Sequence, residues 1–529
     1  MVLVPRYRLS QTSTHVVIEV TLPHVRVSPK SVDLLVVDGV ELHLHAPPAY
    51  LLKLTLPDRV VDEEAVEESL AALANGVENH HAAIYTKEDL PRLTYDPEKN
   101  HGTLIVSMKK ESERFWEDLD LLGKLQEPTR SQRRKQESRA GSKLVVEIDS
   151  PEEDRGGGGE CLSIESASED ECLTSIKYSD GPRYGLFQQH SNVFRDYARE
   201  GLTVEMIECK SPDDTLDARS VDQDRRAMRL ETENQKFDPD RYLNDFCVEE
   251  DGDMIFDCAM SMEPHWATSV TELTEKLSNL TTSAVDASTF FTEEESNMLA
   301  SIPYKGLPDL ESLTKDQSHA AFLCLMDVLF SYAYDHRTTD GEPTVESSWT
   351  VMILSPALSW LENYNPPYDT IQDVFIWSTR RSMIYPYLRN YNLSMKVAKD
   401  VAEILSRGRR TIIRCLLQVH SIMERSESHY LFNKLFIDPM ICWIQRCDEL
   451  DVRAFSNRVL EATSRGAFLT KSTLDLDLDE LEESLISDDD DPNDTNDESS
   501  SEEQSDTSVR SDDDKGQRVM MEEIHSKET

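Results

Sequence analysis

The sequence predicts a multidomain chain: an all-β sandwich at the front, a polar linker, an all-α domain, and an acidic tail. Three observations carry this reading. Residues 1–126 alternate apolar and polar with period two, residues 178–465 repeat apolar positions every three to four, and the stretches 127–177 and 466–529 follow neither rule. The chain has 529 residues, a formal net charge of −46 and a hydrophobic fraction of 38%, which is too polar for one wholly packed chain. Its 101 acidic residues against 55 basic ones disfavour general binding to nucleic acid or to an anionic membrane and favour a basic partner.

In residues 1–126, Val16–Thr21, Val32–Val37, Val40–His45, Tyr50–Leu56 and Thr103–Met108 are rich in β-branched or other apolar residues and read as strands. Asp38-Gly39 is a two-residue hairpin signal. Pro23, Pro29, Pro47, Pro48 and Pro57 fall at strand ends, where a missing N–H costs no ladder bond. Short strands with regular turns predict a small antiparallel sandwich. An insertion near residues 66–91 holds a helix-like run, Glu64–Ala74, ended by Asn75-Gly76.

The linker contains "TRSQRRKQESR", "DRGGGGE" and "SIESASEDE", none able to build a core, so the flanking domains are expected to fold separately. Its basic cluster, Arg133, Arg134 and Lys135, reads either as a nuclear import signal or as a solvated charge run. In "LVVEIDSPEED" an apolar run precedes acids, a pattern that can add as a strand to a partner's sheet.

The helical period is clearest in Val397, Val401, Ile404, Leu405, Ile412, Ile413, Leu416 and Leu417, with Gly408 interrupting it. The tail from Asp475 to Asp514 has nineteen acidic residues against one basic, Arg510, so self-repulsion predicts disorder. Ser487 and Ser499 precede acids in the pattern that acidophilic kinases read.

No catalytic constellation assembles. The chain lacks a GxSxG elbow, an HExxH pair and a GxxxxGK[ST] loop, and Gly156–Gly159 have no Lys-Ser or Lys-Thr after them. His43 and His45 share a strand face without a third ligand, and His80 and His81 lie in the polar insertion. The nine cysteines form no CxxC pair, and Cys442 and Cys447 have no second pair to complete a zinc site. No enzyme activity, cofactor or metal is therefore expected. "AAFLCLMDVLF" is too short to span a bilayer and carries Asp327, and the start "MVLVPRYRLS" is no signal peptide, so the expectation is a reduced, intracellular, soluble protein.

"FDPDRYLNDFCVEEDGDMIFD" (Phe237–Asp257) is the candidate interaction segment, with eight acidic residues, one arginine, and aromatics Phe237, Tyr242, Phe246 and Phe256 between them. It reads as a client surface anchored by Phe237 and Tyr242 and charged by Asp238, Asp245 and Asp253. The other reading is a domain edge whose aromatics dock on their own core.

"RYGLFQQHSNVF", "ENQKFDPDRYLND", "ESSWTVMILSPALSWLE" and "RRSMIYPYLRNYNLSMKVAKD" together resemble the Shq-type assembly chaperone of H/ACA ribonucleoproteins. The signature residues are Arg183, Tyr184, Trp349, Pro356, Trp360, Arg380, Arg381, Tyr385, Pro386 and Arg389. At the front, "PRYRLSQTSTHVVIEV", "YLLKLTLPDRVVDEE" and "FWEDLDLLGKL" resemble that family's CS domain, a small heat-shock-like sandwich. The resemblance implies a monomeric chaperone of the nucleus, with a cytoplasmic pool, acting in ribosome biogenesis and pseudouridylation. It implies a helical domain that binds dyskerin over its RNA-binding surface as an RNA mimic, release by the pontin and reptin ATPases, and no direct contact with nucleic acid or membrane. The interruption near 66–91 and the long acidic tail depart from the family pattern. Within the basic stretch, Arg380, Arg381 and Arg389 are expected to pair with carboxylates inside the fold, Pro386 to break the helix, and Tyr385, Tyr387 and Tyr391 to fill core gaps. The alternative function is a general CS-domain co-chaperone that recruits a heat-shock ATPase to clients.

Overall fold

A computed structural model describes residues 4–22, 31–47, 50–63, 65–67, 69, 85–116, 118–125, 182–201, 206–213, 221–251, 254–267, 291–302, 312–464 and 469–488. The chain divides into two compact units, Met1–Glu482 and Glu483–Thr529. The linker with Arg133, Arg134 and Lys135, most of the Glu64–Ala74 run, and the tail beyond Asp488 lie outside the described residues.

The first part is an antiparallel sandwich. Strands β1 (Arg6–Gln11), β2 (His15–Thr21), β6 (Arg92–Asp96) and β7 (Thr103–Lys109) form one sheet in the order β1-β2-β7-β6; β3 (Asp33–Val37), β4 (Glu41–Ala46) and β5 (Tyr50–Thr55) form the other. Strict alternation aims Val16, Ile18 and Val20 of β2, Leu104, Val106 and Met108 of β7, and Leu42, Leu44, Leu52 and Leu54 of the smaller sheet into one core. The pairings Ile18↔Val106 and Leu44↔Leu52 fix the register, since a one-residue slip would turn each set outward. Strands β1 and β6 were not anticipated. Each is half polar, "RYRLSQ" and "RLTYD", and sits at a sheet edge where only alternate residues need be apolar.

The segment after β7 is less a part of the sandwich than a seam. Lys110 is buried, and its ammonium donates to Gln11 Oε1 (2.7 Å), Thr12 O (2.9 Å) and Arg114 O (2.8 Å) beneath the Trp116 ring. The chain then turns onto the helical region through helix α1 (Leu122–Leu125), burying Leu119, Leu121, Leu122 and Leu125.

The helical region comprises the short helix α2 (Arg195–Arg199), then α3 (Val221–Lys236), α4 (Pro239–Asp251), α5 (Met254–Ser261), α6 (Glu293–Ser301), α7 (Lys315–Thr338), α8 (Ser347–Leu354), α9 (Pro356–Ser359), α10 (Ile371–Ser382), α11 (Tyr391–Ser406), α12 (Arg409–Glu424), α13 (Asp438–Arg446), α14 (Glu449–Ser464) and α15 (Leu478–Asp488). Helix α7 starts at a Thr314/Gln317 capping box and is buried on every side from Ala321 to Arg337, the mark of a central helix. Asp327 in its middle accepts from Ser355 Oγ (2.7 Å), Ala357 N (3.0 Å) and Ser378 Oγ (3.3 Å), so the carboxylate that interrupts the apolar run ties α7 to α9 and α10. Among the described residues no helix is long and apolar enough to cross a membrane. At Gly408 the φ of +87° separates α11 from α12 and lets the chain turn beside Glu449.

The seam is polar at its rim. Arg409 donates to Asp118 (3.0 Å), Arg410 grips Asp120 with two bonds of 2.8 Å, and Gly123 N donates to the buried Gln445 Oε1 (2.9 Å). Beside it, α6 meets β1 through Arg8–Glu293 (3.3 Å) and α12 through Arg414–Glu295 (2.8 Å). "FWEDLDLLGKL" is thus the joint by which the sandwich docks on α12 and α13.

One boundary moves. The tail was expected to begin at 466, yet residues 469–482 pack on the helical region. "LDLDL" alternates, burying Leu474, Leu476 and Leu478 while Asp475 and Asp477 face water. Acidic content hid a strap with an apolar face.

Candidate functional site

The site rests on α3. Arg225, Arg229 and Glu233 recur every fourth residue, hence on one face, and that face points inward. A buried guanidinium is tolerated only when paired. Arg225 donates to the backbone oxygens of Leu361 (2.7 Å) and Pro212 (2.6 Å). Arg226 forks onto Asp369 (2.9 and 3.2 Å), and Arg229 bonds Glu362 (2.5 Å) and Glu233 (2.9 Å).

From the opposite side α10 delivers Arg380 and Arg381, adjacent in sequence and both buried. Arg380 Nε and Arg381 Nη1 converge on Glu233 (2.9 and 2.7 Å), and Arg381 Nη2 reaches Glu208 (2.5 Å), which also accepts from Trp360 Nε1 (2.8 Å). Arg380 further bonds Asn234 and the carbonyls of Leu474 and Asp475, fastening the C-terminal strap. Burial alone would push the Glu208 and Glu233 carboxyls up. The facing arginines (Arg381 beside Glu208, Arg229 and Arg381 beside Glu233) outweigh it, bringing Glu208 down to about 2 and holding Glu233 below its ordinary value. Burial likewise works against the charge on Arg229 and Arg381, and the carboxylates overcome it and raise both. Arginine stays charged and Glu208 stays ionised at neutral pH, so the cluster is a fixed brace.

Helices α4 and α5 follow α3 in the chain. Tyr242 was expected as an exposed anchor; it is 1% exposed, with its hydroxyl on Glu482 Oε1 (2.5 Å). Phe237 packs against it at 6.3 Å between ring centres, and Phe256 is buried, because apolar positions at helical spacing on a domain edge turn to their own core. Asp245 accepts from Arg389 N (2.9 Å) and Nη1 (3.0 Å), while Asp238 stays at the surface beside Arg241 (3.3 Å). Asp253 lies outside the described residues. What this segment offers outward is different: Met254 is 77% exposed and Ile255 43%, with the exposed carboxylates Asp240 and Asp257 on the same pair of helices.

The remaining signature residues are distributed through the fold. Arg183 O accepts from Asn363 Nδ2 (3.0 Å), and the buried Tyr184 hydroxyl donates to Asp213 (2.7 Å) and accepts from Val193 N (2.8 Å). Burial, then Asp213, raises the Tyr184 phenol. Trp349 sits at the surface of α8, Pro356 opens α9, and Tyr385 lies under Arg381 (4.6 Å) and Lys236 (5.0 Å). Helix α10 ends at Ser382, before Pro386, which is buried in the turn to α11. Tyr387 does not fill a core gap: it is 69% exposed, because that turn aims it at solvent. Tyr391 donates to Leu469 O (2.8 Å) of the strap. Sequence reasoning missed Glu208, Arg229, Glu233, Glu362 and Asp369, although the Arg225-Arg229-Glu233 spacing is a detectable signal. Among the described residues no cluster of His, Cys, Asp or Glu is placed to hold a metal ion.

Comparison with known proteins matches residues 281–478 to the family model "SHQ1 protein, Shq1 domain" and residues 4–78 to "SHQ1-like, CS domain". The sandwich continues past that second match through β6 and β7. The chain is similar to Protein SHQ1 homolog of Mus musculus, 30% identical over 487 residues that span 92% of this chain and 75% of the mouse protein. It is 29% identical to the Xenopus tropicalis homolog, over 91% of this chain and 69% of that protein. Protein shq1 of Schizosaccharomyces pombe is 26% identical, over 91% and 96%.

Proposed function

The chain belongs to the SHQ1 family, and from that premise we propose that it is a non-enzymatic assembly chaperone of H/ACA small nucleolar ribonucleoproteins. In this reading its helical region binds the pseudouridine synthase subunit dyskerin over the RNA-binding surface and holds that surface until assembly, in the nucleus, with release by the pontin and reptin ATPases. The observation that supports it is exposed Met254 and Ile255 at the start of α5, with exposed Asp257 on the same helix and exposed Asp240 on α4. Carboxylates meet cationic side chains that otherwise hold phosphates, and two apolar side chains supply the desolvated contact that ion pairs alone lack.

The test is competition. Guide RNA titrated against the preformed complex of the full chain with dyskerin should displace the chain. Complex formation should depend less steeply on salt than RNA binding does, since a protein carries no condensed counterion sheath. Met254→Lys with Ile255→Lys should weaken the complex at least about tenfold, placing like charge against the basic surface. Simultaneous binding of RNA and chain without mutual weakening would overturn the proposal. Capture of a heat-shock ATPase by the sandwich, with no dyskerin contact, would favour a general co-chaperone instead.

A further inference from the structure

The sandwich exposes one sheet edge with unusual chemistry. Strand β3 ends the order β3-β4-β5, and among the described residues no strand pairs with its outer side. Its sequence "DLLVV" is apolar in the middle, and Leu35 is 57% exposed. Edge strands are ordinarily guarded by a lysine, a proline or a bulge, because unpaired backbone donors and acceptors template another strand. The opposite edge of this sheet follows that rule, with Lys53 exposed at the centre of β5. In the other sheet, edge strand β1 lies against α6, and edge strand β6 begins with the exposed, charged Arg92. Among the described residues, strand β3 has neither protection.

Charge brackets the apolar run. Asp33 opens the strand, largely in solvent at 3.6 Å from His45, and Asp38 follows Val37 at the exposed hairpin turn. Leu35 pairs with His43, and His43 with Lys53, so an added strand would extend that outward row by one more side chain. A second copy would bring another chain of net charge −46, which long-range repulsion opposes. We infer that the free edge of β3 binds an extended peptide of a partner protein, apolar at alternate positions and basic at both ends, adding antiparallel to Asp33–Val37.

A matching probe is the fluorophore-labelled peptide acetyl-Lys-Val-Thr-Val-Thr-Lys-amide, whose two valines would lie opposite Leu35 and Val37 and whose lysines would meet Asp33 and Asp38. Fluorescence anisotropy with the full chain should show saturable binding. Leu35→Lys, at a side chain 57% exposed, should weaken it by about tenfold, the scale of one cross-strand pair plus a like charge. The same peptide N-methylated on its sheet-facing amides keeps its charge and should not bind, which separates strand addition from attraction to an acidic protein. A peptide ending in glutamates should bind more weakly. Absence of binding, equal binding to the Leu35→Lys chain, or equal binding of the methylated peptide would overturn the inference. So would a concentration-dependent dimer in sedimentation that Leu35→Lys abolishes, since the edge would then belong to a second copy.

Discussion

Glu233→Gln is the sharpest test of the brace. One fully buried carboxylate accepts from three guanidiniums: Arg229 (2.9 Å) and Arg381 (2.7 Å) on Oε1, and Arg380 (2.9 Å) on Oε2. The linked charges are Arg226, Arg229, Lys236, Arg380 and Arg381 against Glu208, Glu233, Glu362 and Asp369, five positive and four negative. The amide leaves five cations facing three anions, and its NH₂ group meets guanidinium donors where a carboxylate oxygen accepted. Stripping one partner from a buried pair costs about 3–5 kcal/mol, mostly as the uncompensated charge left behind. With a urea slope of about 3 kcal/mol per molar, the unfolding midpoint should fall by about 1–1.7 M. The assay is equilibrium urea unfolding followed by tryptophan fluorescence, repeated for Arg381→Met and for the double variant. The double variant should be less damaged than the sum of the two singles, with a coupling of at least about 1 kcal/mol. A loss below about 1 kcal/mol for Glu233→Gln, or strict additivity, would show that the cluster is hydrated and does not brace α3 against α10.

Three further outcomes follow from the geometry. Cleavage at a protease site placed in Gly156–Gly159 should leave two fragments that co-elute in gel filtration, held by the Leu119–Leu125 seam, and Arg410→Ala should make their association more sensitive to salt. Gly408→Ala should lower stability by about 1–2 kcal/mol in urea unfolding, since φ is +87° and the new Cβ would sit 3.1 Å from Glu449 Oε1. Burial, opposed by the Ser347 hydrogen bond, raises the Asp335 carboxyl from 3.8 to about 6. A folded-state value above the unfolded one means stability fully present below about pH 3.8 and lost as pH rises through about 6, so Asp335→Asn should flatten that part of the stability–pH curve.

The two architectures were legible because each obeys one strong rule. Strands β2, β4, β5 and β7 alternate along nearly their whole length, and α11 and α12 keep their apolar stripe across three and four positions on both sides of Gly408. Strands β1 and β6 escaped because an edge strand buries one face against one neighbour, so "RYRLSQ" needs only Tyr7, Leu9 and Gln11 inside. The strap escaped for the opposite reason. Leu474, Leu476 and Leu478 alternate with aspartates in a region whose overall charge reads as disorder, and composition averages away a period that three residues carry.

The interaction surface was the least legible part, and the cause is physical. Aromatics interleaved with acids look like anchors on a charged face, but in "FDPDRYLNDF" the spacing of Phe237, Tyr242 and Phe246 also places rings toward the domain, where burial of each is worth about 1.5–3 kcal/mol. Folding claims such residues first. Tyr242 goes inside with its hydroxyl on Glu482, Phe246 turns toward Lys471 of the strap, and Asp245 is taken by Arg389. A partner is left with side chains that reach solvent, here Met254 and Ile255, which carry no charge or aromatic ring to draw the eye. The same logic explains the basic stretch. Arg380 and Arg381 are conspicuous in an acidic chain because two carboxylates, Glu208 and Glu233, and a strap depend on them, and both side chains are buried out of a client's reach.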